Sequence, residues 1–123
     1  MRAARAGRYG ARMKHVTFGE KSLLVGDAAA DTLLEYARLV ADNQRADTVA
    51  LRCISPDGNT VEASFLLNTN TLLMVESTNS EVEPPDNAEA VAEMQQRIDA
   101  LTRPIGAQPE NDWEDDYDVT DLV

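Results

Sequence analysis

The sequence predicts an α+β domain in which two helices pack on a five-stranded, mostly antiparallel sheet, in the order ββαβββα. Three observations predict this fold class. Five short runs have the alternation or the density of apolar residues that is typical of strands. Two longer runs repeat apolar residues with helical spacing. Turns that contain Gly, Pro or Asn separate most of these runs.

The sheet is predicted from two groups of strands. The predicted strands cover residues 15–18, 22–25, 49–53, 61–67 and 71–76. The first two form a hairpin around Gly19. The last three form a predicted antiparallel meander, because short turns connect them in sequence. Pro56 and Gly58 in the first of these turns supply a fixed φ and a positive φ, as a hairpin turn requires.

The first helix is predicted over residues 28–42, with Asp27 as an N-cap whose carboxylate accepts hydrogen bonds from the first turn. Glu35 and Arg38 are spaced for an ion pair on its exposed side. One apolar stripe is expected to face the core. It consists of Ala30, Leu33, Leu34, Ala37, Val40 and Ala41.

The second helix is predicted to begin at a capping box formed by Asp86 and Glu89. It ends at Arg103, because Pro104 disfavours the helical conformation of the residue before it. Its apolar positions form a narrow stripe that is suited to lying on a sheet. These positions are Val91, Met94, Ile98 and Leu101.

Charge divides the chain into three parts, within a net charge of −11. Residues 1–12 contain four Arg and no acid, and we expect them to form a disordered basic extension. This extension is either an appended or mis-assigned segment before a true start at Met13, or a functional basic arm. Residues 13–104 form the single predicted domain, in which acids outnumber bases. Residues 105–123 form an acidic tail.

The excess of carboxylates argues against several kinds of partner. An acidic body repels phosphate groups, so we expect no direct nucleic-acid binding by residues 13–104 and no binding to a membrane. No apolar run approaches the roughly 20 residues of a transmembrane helix. A single cysteine, Cys53, and an N-terminus without the apolar core of a signal peptide predict a cytoplasmic location.

Residues that are able to perform catalysis are scarce. His15 is the only histidine, and we expect it to be an exposed or capping residue near a strand edge. Cys53 shares the apolar face of its strand and is expected to be a buried, inert thiol. The sequence contains no glycine-rich phosphate loop and no nucleophile motif, and its acidic tail lacks the glycine and the final glutamate of an EF-hand loop. We therefore expect a protein that is not an enzyme and that holds no cofactor and no metal.

The end of the chain is its most unusual feature. Residues 110–123 contain seven carboxylates, no Lys or Arg, and the only Trp. Carboxylates attract a basic surface, and buried aromatic residues contribute much of the free energy of binding. The candidate partner-binding residues are Trp113, Glu114, Asp115, Asp116, Tyr117, Asp118 and Leu122. The alternatives are a tail that only solubilises the protein and a tail in which Trp113 packs on its own domain.

Two hypotheses of function follow from these patterns. The first is a non-catalytic acidic interaction protein, of the adaptor, inhibitor or immunity type, that binds a basic protein through its acidic surface or its tail. The second is a small-molecule-binding or enzymatic domain that uses a cleft between the sheet and the helices. A homodimer formed through exposed sheet edges is compatible with both hypotheses.

Overall fold

The computed structural model describes residues 12–103 of the chain. These residues form a five-stranded sheet and two helices, so the predicted α+β class and the predicted order ββαβββα are confirmed. The elements are β1 (Met13–Phe18), β2 (Lys21–Gly26), α1 (Asp27–Asp42), β3 (Asp47–Ile54), β4 (Thr60–Leu67), β5 (Leu73–Ser77) and α2 (Ala88–Thr102).

The strands lie in the order β4-β3-β2-β1-β5, and every neighbouring pair is antiparallel. The predicted meander of β3, β4 and β5 is therefore wrong. β3 and β4 do form a hairpin, which pairs the full length of both strands. β5 instead pairs with β1, where Val75 lies opposite Val16, and it forms the other edge of the sheet.

The sheet is strongly curled, which explains how β5 reaches β1. β2 and β3 share a single residue pair, Leu24 with Ile54. The rings of Phe18 on β1 and Phe65 on β4 make an edge-to-face contact with their centroids 5.5 Å apart. Three strand spacings in a flat sheet would separate these two strands by about 14 Å. The curl brings the two edges towards each other, so residues 68–72 suffice to connect β4 with β5.

Helix α1 contacts β1, β2, β4 and β5 as well as α2, so it has neighbours on more than one side. Its buried face is consequently wider than the predicted stripe. Tyr36 and Leu39 are buried although the stripe does not include them, whereas Leu34 is 42% exposed and its predicted burial is wrong. The predicted ion pair of Glu35 with Arg38 is confirmed at 2.8 Å. The strands contribute to the core Val16, Leu23, Val25, Val49, Leu51, Cys53, Phe65 and Leu67.

Helix α1 begins one residue earlier than predicted. Gly26 occupies the N-cap position without a side-chain hydrogen bond, and Asp27 is the first helical residue. The amide N–H of Asp27 donates to the carbonyl oxygen of Arg12 at 3.0 Å. The predicted N-cap role of Asp27 is therefore wrong, because β2 continues to Gly26, opposite Met13, and leads directly into the helix.

Residues 78–87, called here the crossing loop, connect β5 with α2 and contact β1, β2 and β3 on the way. Near the start of this loop, the Thr78 hydroxyl donates to the carbonyl oxygen of Met13 at 3.0 Å. Further along, Pro84 lies against Gly26 so closely that a Cβ atom on residue 26 would come within 3.1 Å of the Pro84 Cβ. Glycine at position 26 therefore allows the crossing loop to pack against the end of β2.

Asn87 fixes the far end of the crossing loop to β3. Its Oδ1 atom accepts the amide N–H of Arg52 at 2.8 Å, and its Nδ2 atom donates to the Arg52 carbonyl at 2.9 Å. Because its side chain is used in this way, Asn87 is the N-cap residue of α2 without a side-chain cap. Asp86, one residue earlier, accepts the amide N–H of Ala88 at 2.9 Å. The predicted capping box of Asp86 and Glu89 is therefore wrong.

Candidate functional site

A groove of about 600 Å³ lies between the start of α1 and the start of α2, beside the crossing loop. Small apolar residues line most of it, and because alanine side chains fill little space, the groove between the helices stays open. We call this feature the α1–α2 groove. Its apolar lining includes Ala28, Ala29, Pro84, Pro85, Val91 and Ala92.

Two carboxylates line the α1–α2 groove, and two more are next to its lining residues in sequence. Asp27 and Asp31 line it on the α1 side. Glu83 and Asp86 are exposed and flank the two prolines of the crossing loop in sequence. Asp31 is paired with Lys14, whose Nζ atom lies 2.8 Å from its Oδ1 atom. An apolar lining is thus combined with several negative charges.

The acidic character extends well beyond the groove. Residues 53–96, which include β4, β5, the crossing loop and the start of α2, contain eight acids and neither Lys nor Arg. Asp27 and Glu89 lie in the first turns of α1 and α2. The positive end of a helix dipole stabilises a negative charge at such positions. Negative charge at the groove is therefore compatible with the stability of both helices.

A second polar cluster joins α1, β3 and α2. The Tyr36 hydroxyl donates a hydrogen bond to Asp47 Oδ2. Arg97 donates to the same oxygen from Nη1 at 2.6 Å, and it donates from Nη2 to Glu93 Oε2 at 2.6 Å. The amide N–H of Thr48 donates to Asp47 Oδ1 at 2.8 Å. Both carboxylate oxygens of Asp47 are therefore occupied, and the start of β3 is fastened to both helices.

This environment shifts the pKa values of the cluster. Burial raises the pKa of Tyr36 above its ordinary value, and the hydrogen bond to Asp47 adds to the effect. Burial alone would raise the pKa of Asp47 as well, but its hydrogen bonds and the charge of Arg97 outweigh burial and lower that pKa. A cavity of about 360 Å³ borders the cluster. Because Tyr36, Asp47 and Arg97 already bond to one another, we assign this cluster a structural role.

The only histidine and the only cysteine, His15 and Cys53, belong neither to the lining of the α1–α2 groove nor to the polar cluster around Asp47. Cys53 is buried in β3 as predicted, and burial raises the pKa of its thiol to about 11. His15 lies within β1, between Leu24 of β2 and Glu76 of β5, and is half-buried. Its predicted place near a strand edge is wrong, because β5 covers that edge of β1. Within residues 12–103, no three His, Cys, Asp or Glu side chains are grouped to hold a metal ion.

The predicted partner-binding residues of the tail all lie outside the described residues. They are Trp113, Glu114, Asp115, Asp116, Tyr117, Asp118 and Leu122. The basic residues 1–11 lie outside the described part as well.

The α1–α2 groove, in contrast, has no counterpart among the predictions. The sequence features that correspond to the groove are the alanines after Gly26 and those after Asn87. The spacing of residues along the chain does not predict that these two segments lie side by side.

No protein family, no curated protein and no solved structure matches this chain. Neither of the helices between residues 12 and 103 has the length and apolarity that crossing a membrane requires. The charge and shape of the described residues, together with the composition of the tail, remain as the grounds for a function.

Proposed function

We propose that this chain is a small, acidic, non-catalytic interaction protein that binds a basic protein partner through its acidic surface or its tail. The observation that carries the proposal is the acidic character of two long segments. Residues 53–96 contain eight acids and no base, and residues 110–123 contain seven acids and no base. A cationic protein surface is complementary to such segments and is attracted to them before contact.

The tail combines this charge with residues suited to an interface. Trp113, Tyr117 and Leu122 place large apolar side chains among its carboxylates. Aromatic residues that become buried in an interface contribute a disproportionate share of the binding free energy. The surrounding charges raise the rate of association and disfavour acidic competitors. Contacts of this kind suit an adaptor, an inhibitor or an immunity-type protein.

Salt-sensitive capture of basic proteins tests the proposal. The full chain is immobilised, incubated with a native lysate and eluted in steps of rising NaCl, and the eluted proteins are identified by mass spectrometry. We expect basic proteins that elute at low salt, because salt screens exposed charges. The tail variant, in which Glu114→Gln is combined with Asp115→Asn, Asp116→Asn and Asp118→Asn, should lose these proteins.

A matched surface variant removes the same number of charges outside the tail. It combines Glu20→Gln, Glu62→Gln, Glu76→Gln and Asp99→Asn, all at exposed positions. Loss of partners in the tail variant alone supports a role for the tail, and equal loss in both variants assigns binding to the overall acidic surface. If the tail variant retains every partner, the tail has no role. If the unaltered chain captures no basic protein, the whole proposal fails.

A second candidate function is small-molecule binding in the α1–α2 groove. Its volume of about 600 Å³ falls within the roughly 300–1,000 Å³ that is common for ligand pockets. A thermal-shift screen against metabolites and metal ions tests this candidate, because a ligand that binds only the folded chain raises its melting temperature. A shift that disappears in the variant Ala92→Trp would favour it, and the absence of any shift would remove it.

A further inference from the structure

The α1–α2 groove combines an apolar lining with surrounding carboxylates, and we propose that it is the docking site for a cationic segment of a partner protein that inserts apolar side chains between the two helices. This proposal rests on the proposed function, to which it adds a defined place on the folded part of the chain. It does not depend on the tail.

The shape of the groove suits such an insertion. Ala28 on α1 and Ala92 on α2 are exposed, and their short side chains leave room for a larger apolar group. The crossing loop forms the third wall of the groove. It is held in place because Pro84 lies against Gly26 and Asn87 forms hydrogen bonds with β3. A groove that is already formed binds its ligand without first paying the entropy of ordering its walls.

The charges around the groove select a cation. Asp27 and Asp31 belong to the lining, and Glu83 and Asp86 are exposed beside it in the crossing loop. Within residues 12–103, Lys14 pairs with Asp31, and no base forms an ion pair with the other three acids. Lys14 also attracts Asp27 without forming an ion pair with it. A basic side chain at the rim would therefore meet Asp27, Glu83 and Asp86, none of which forms an ion pair within residues 12–103.

The two helix starts do not make this an anion site. The free amide groups at a helix N-terminus attract anions when no acid is present there. Here Asp27 and Glu89 lie in the first turns of α1 and α2 and already interact favourably with both helix dipoles. An anionic ligand would meet like charges, which leaves a cation as the complementary occupant.

Fluorescence anisotropy with a defined probe tests the proposal on the full chain. The probe is a labelled peptide of Lys and Leu in an amphipathic helical pattern, and its control has Ser in place of every Leu and the same charge. We expect the control to bind at least about tenfold more weakly, because it has no apolar side chains to bury. Equal affinities of the two peptides would overturn the proposal.

Variants of the groove locate the bound peptide. Ala92→Arg places bulk and positive charge in the groove and should weaken binding of the Lys–Leu peptide by about tenfold or more. Ala100→Arg is the matched control, since it makes the same change at another exposed position of α2, about 12 Å farther along the helix. It should change the affinity by less than about twofold. If both variants weaken binding equally, the groove is not the site.

Ala28→Arg on the α1 wall provides a second groove variant if Ala92→Arg reduces the stability of α2. Circular dichroism and a thermal melt establish that each variant is folded before its affinity is measured. A folded Ala28→Arg variant with unchanged affinity would overturn the proposal as well.

The tail variant separates this proposal from the broader function. Peptide binding that is retained in the tail variant and lost in Ala92→Arg supports the groove. Peptide binding that is lost only in the tail variant overturns the groove proposal and leaves the proposed function standing. If the Lys–Leu peptide does not bind the unaltered chain, the groove proposal fails, and the capture experiment decides the proposed function independently.

The basic residues of the chain itself are the competing occupant. The Arg12 carbonyl accepts the amide N–H of Asp27, so the described part of the chain begins beside the groove. The variant that combines Arg2→Gln, Arg5→Gln and Arg8→Gln should bind the peptide with unchanged affinity. A gain of about tenfold or more would assign the groove to the chain's own N-terminal segment and overturn the proposal.

Discussion

Arg97 of α2 reaches Asp47, the first residue of β3, with its Nη1 atom 2.6 Å from Asp47 Oδ2. The same carboxylate oxygen accepts the hydroxyl hydrogen of Tyr36 on α1. One side chain at the start of β3 therefore joins both helices. Because α2 forms one side of the α1–α2 groove, we expect the shape of the groove to depend on this contact.

Arg97→Met should lower the free energy of unfolding by about 1–2 kcal/mol, because it leaves the partly buried Asp47 carboxylate without its charged donor. Arg38→Met on α1 is the matched control. Its ion pairs are exposed, so its loss should cost less than about 0.5 kcal/mol. Urea denaturation of the full chain measures both values. Equal losses of unfolding free energy would show that the contact of Arg97 with Asp47 stabilises the fold no more than the exposed ion pairs of Arg38 do.

The lowered pKa of Asp47 predicts a specific dependence on acid. The folded chain favours the ionised carboxylate, so its stabilising contribution is fully present above the ordinary pKa of 3.8 and is lost as the pH falls through the lower pKa of the folded state. The unfolding free energies of the unaltered chain and of Asp47→Asn should differ by a constant amount from about pH 5 to pH 7 and converge below about pH 4. A difference that persists unchanged to about pH 2 would contradict the lowered pKa.

Asn87→Ala should lower the free energy of unfolding by about 1–2 kcal/mol, since it removes both hydrogen bonds to the backbone of Arg52. The amide N–H of Arg52 also loses its acceptor, and its hydrogen exchange should become faster. Asn79→Ala, at an exposed position of the same crossing loop, should stay within about 0.5 kcal/mol of the unaltered chain. An unchanged exchange rate at Arg52 would refute the role of Asn87 as a partner for β3.

Neighbouring leucines of α1 should respond very differently to truncation. Leu33 is fully buried, whereas Leu34 is 42% exposed. Leu33→Ala should therefore cost about 2–5 kcal/mol of stability, including the cavity that it leaves. Leu34→Ala should cost less than about 1 kcal/mol. Thermal and urea unfolding compare the two, and similar losses would restore the single stripe that the sequence predicted.

Alternation along the chain predicted the faces of the strands but not their neighbours. Val49, Leu51 and Cys53 are all buried, as a period of two residues requires. The same alternation carries no information about which strands pair. β5 was therefore predicted beside β4, because the connection between them is short. The curl that brings Phe18 to Phe65 depends on the whole sheet and cannot be derived from local spacing.

The predicted buried face of α1 is wrong at the positions where this helix packs against a second element. A single apolar stripe assumes one packing surface, but α1 contacts both the strands and α2, so Tyr36 is buried and Leu34 is not. The α1–α2 groove was missed for a related reason, since Gly26 and Asn87 are distant in sequence and only packing brings their helices together. The tail residues, Trp113 among them, stay predictions.

The strand order, which places β4 and β5 at opposite edges of the sheet, has a consequence for the order in which the chain folds. β3 and β4 are consecutive and joined by a tight turn with Gly58 at a positive φ, so their pairing closes only a short loop. β5 must instead find β1 across most of the domain. Closing a long loop costs conformational entropy before its contacts compensate, which slows folding. We therefore expect the β3–β4 hairpin to assemble early and the pairing of β1 with β5 to limit the folding rate.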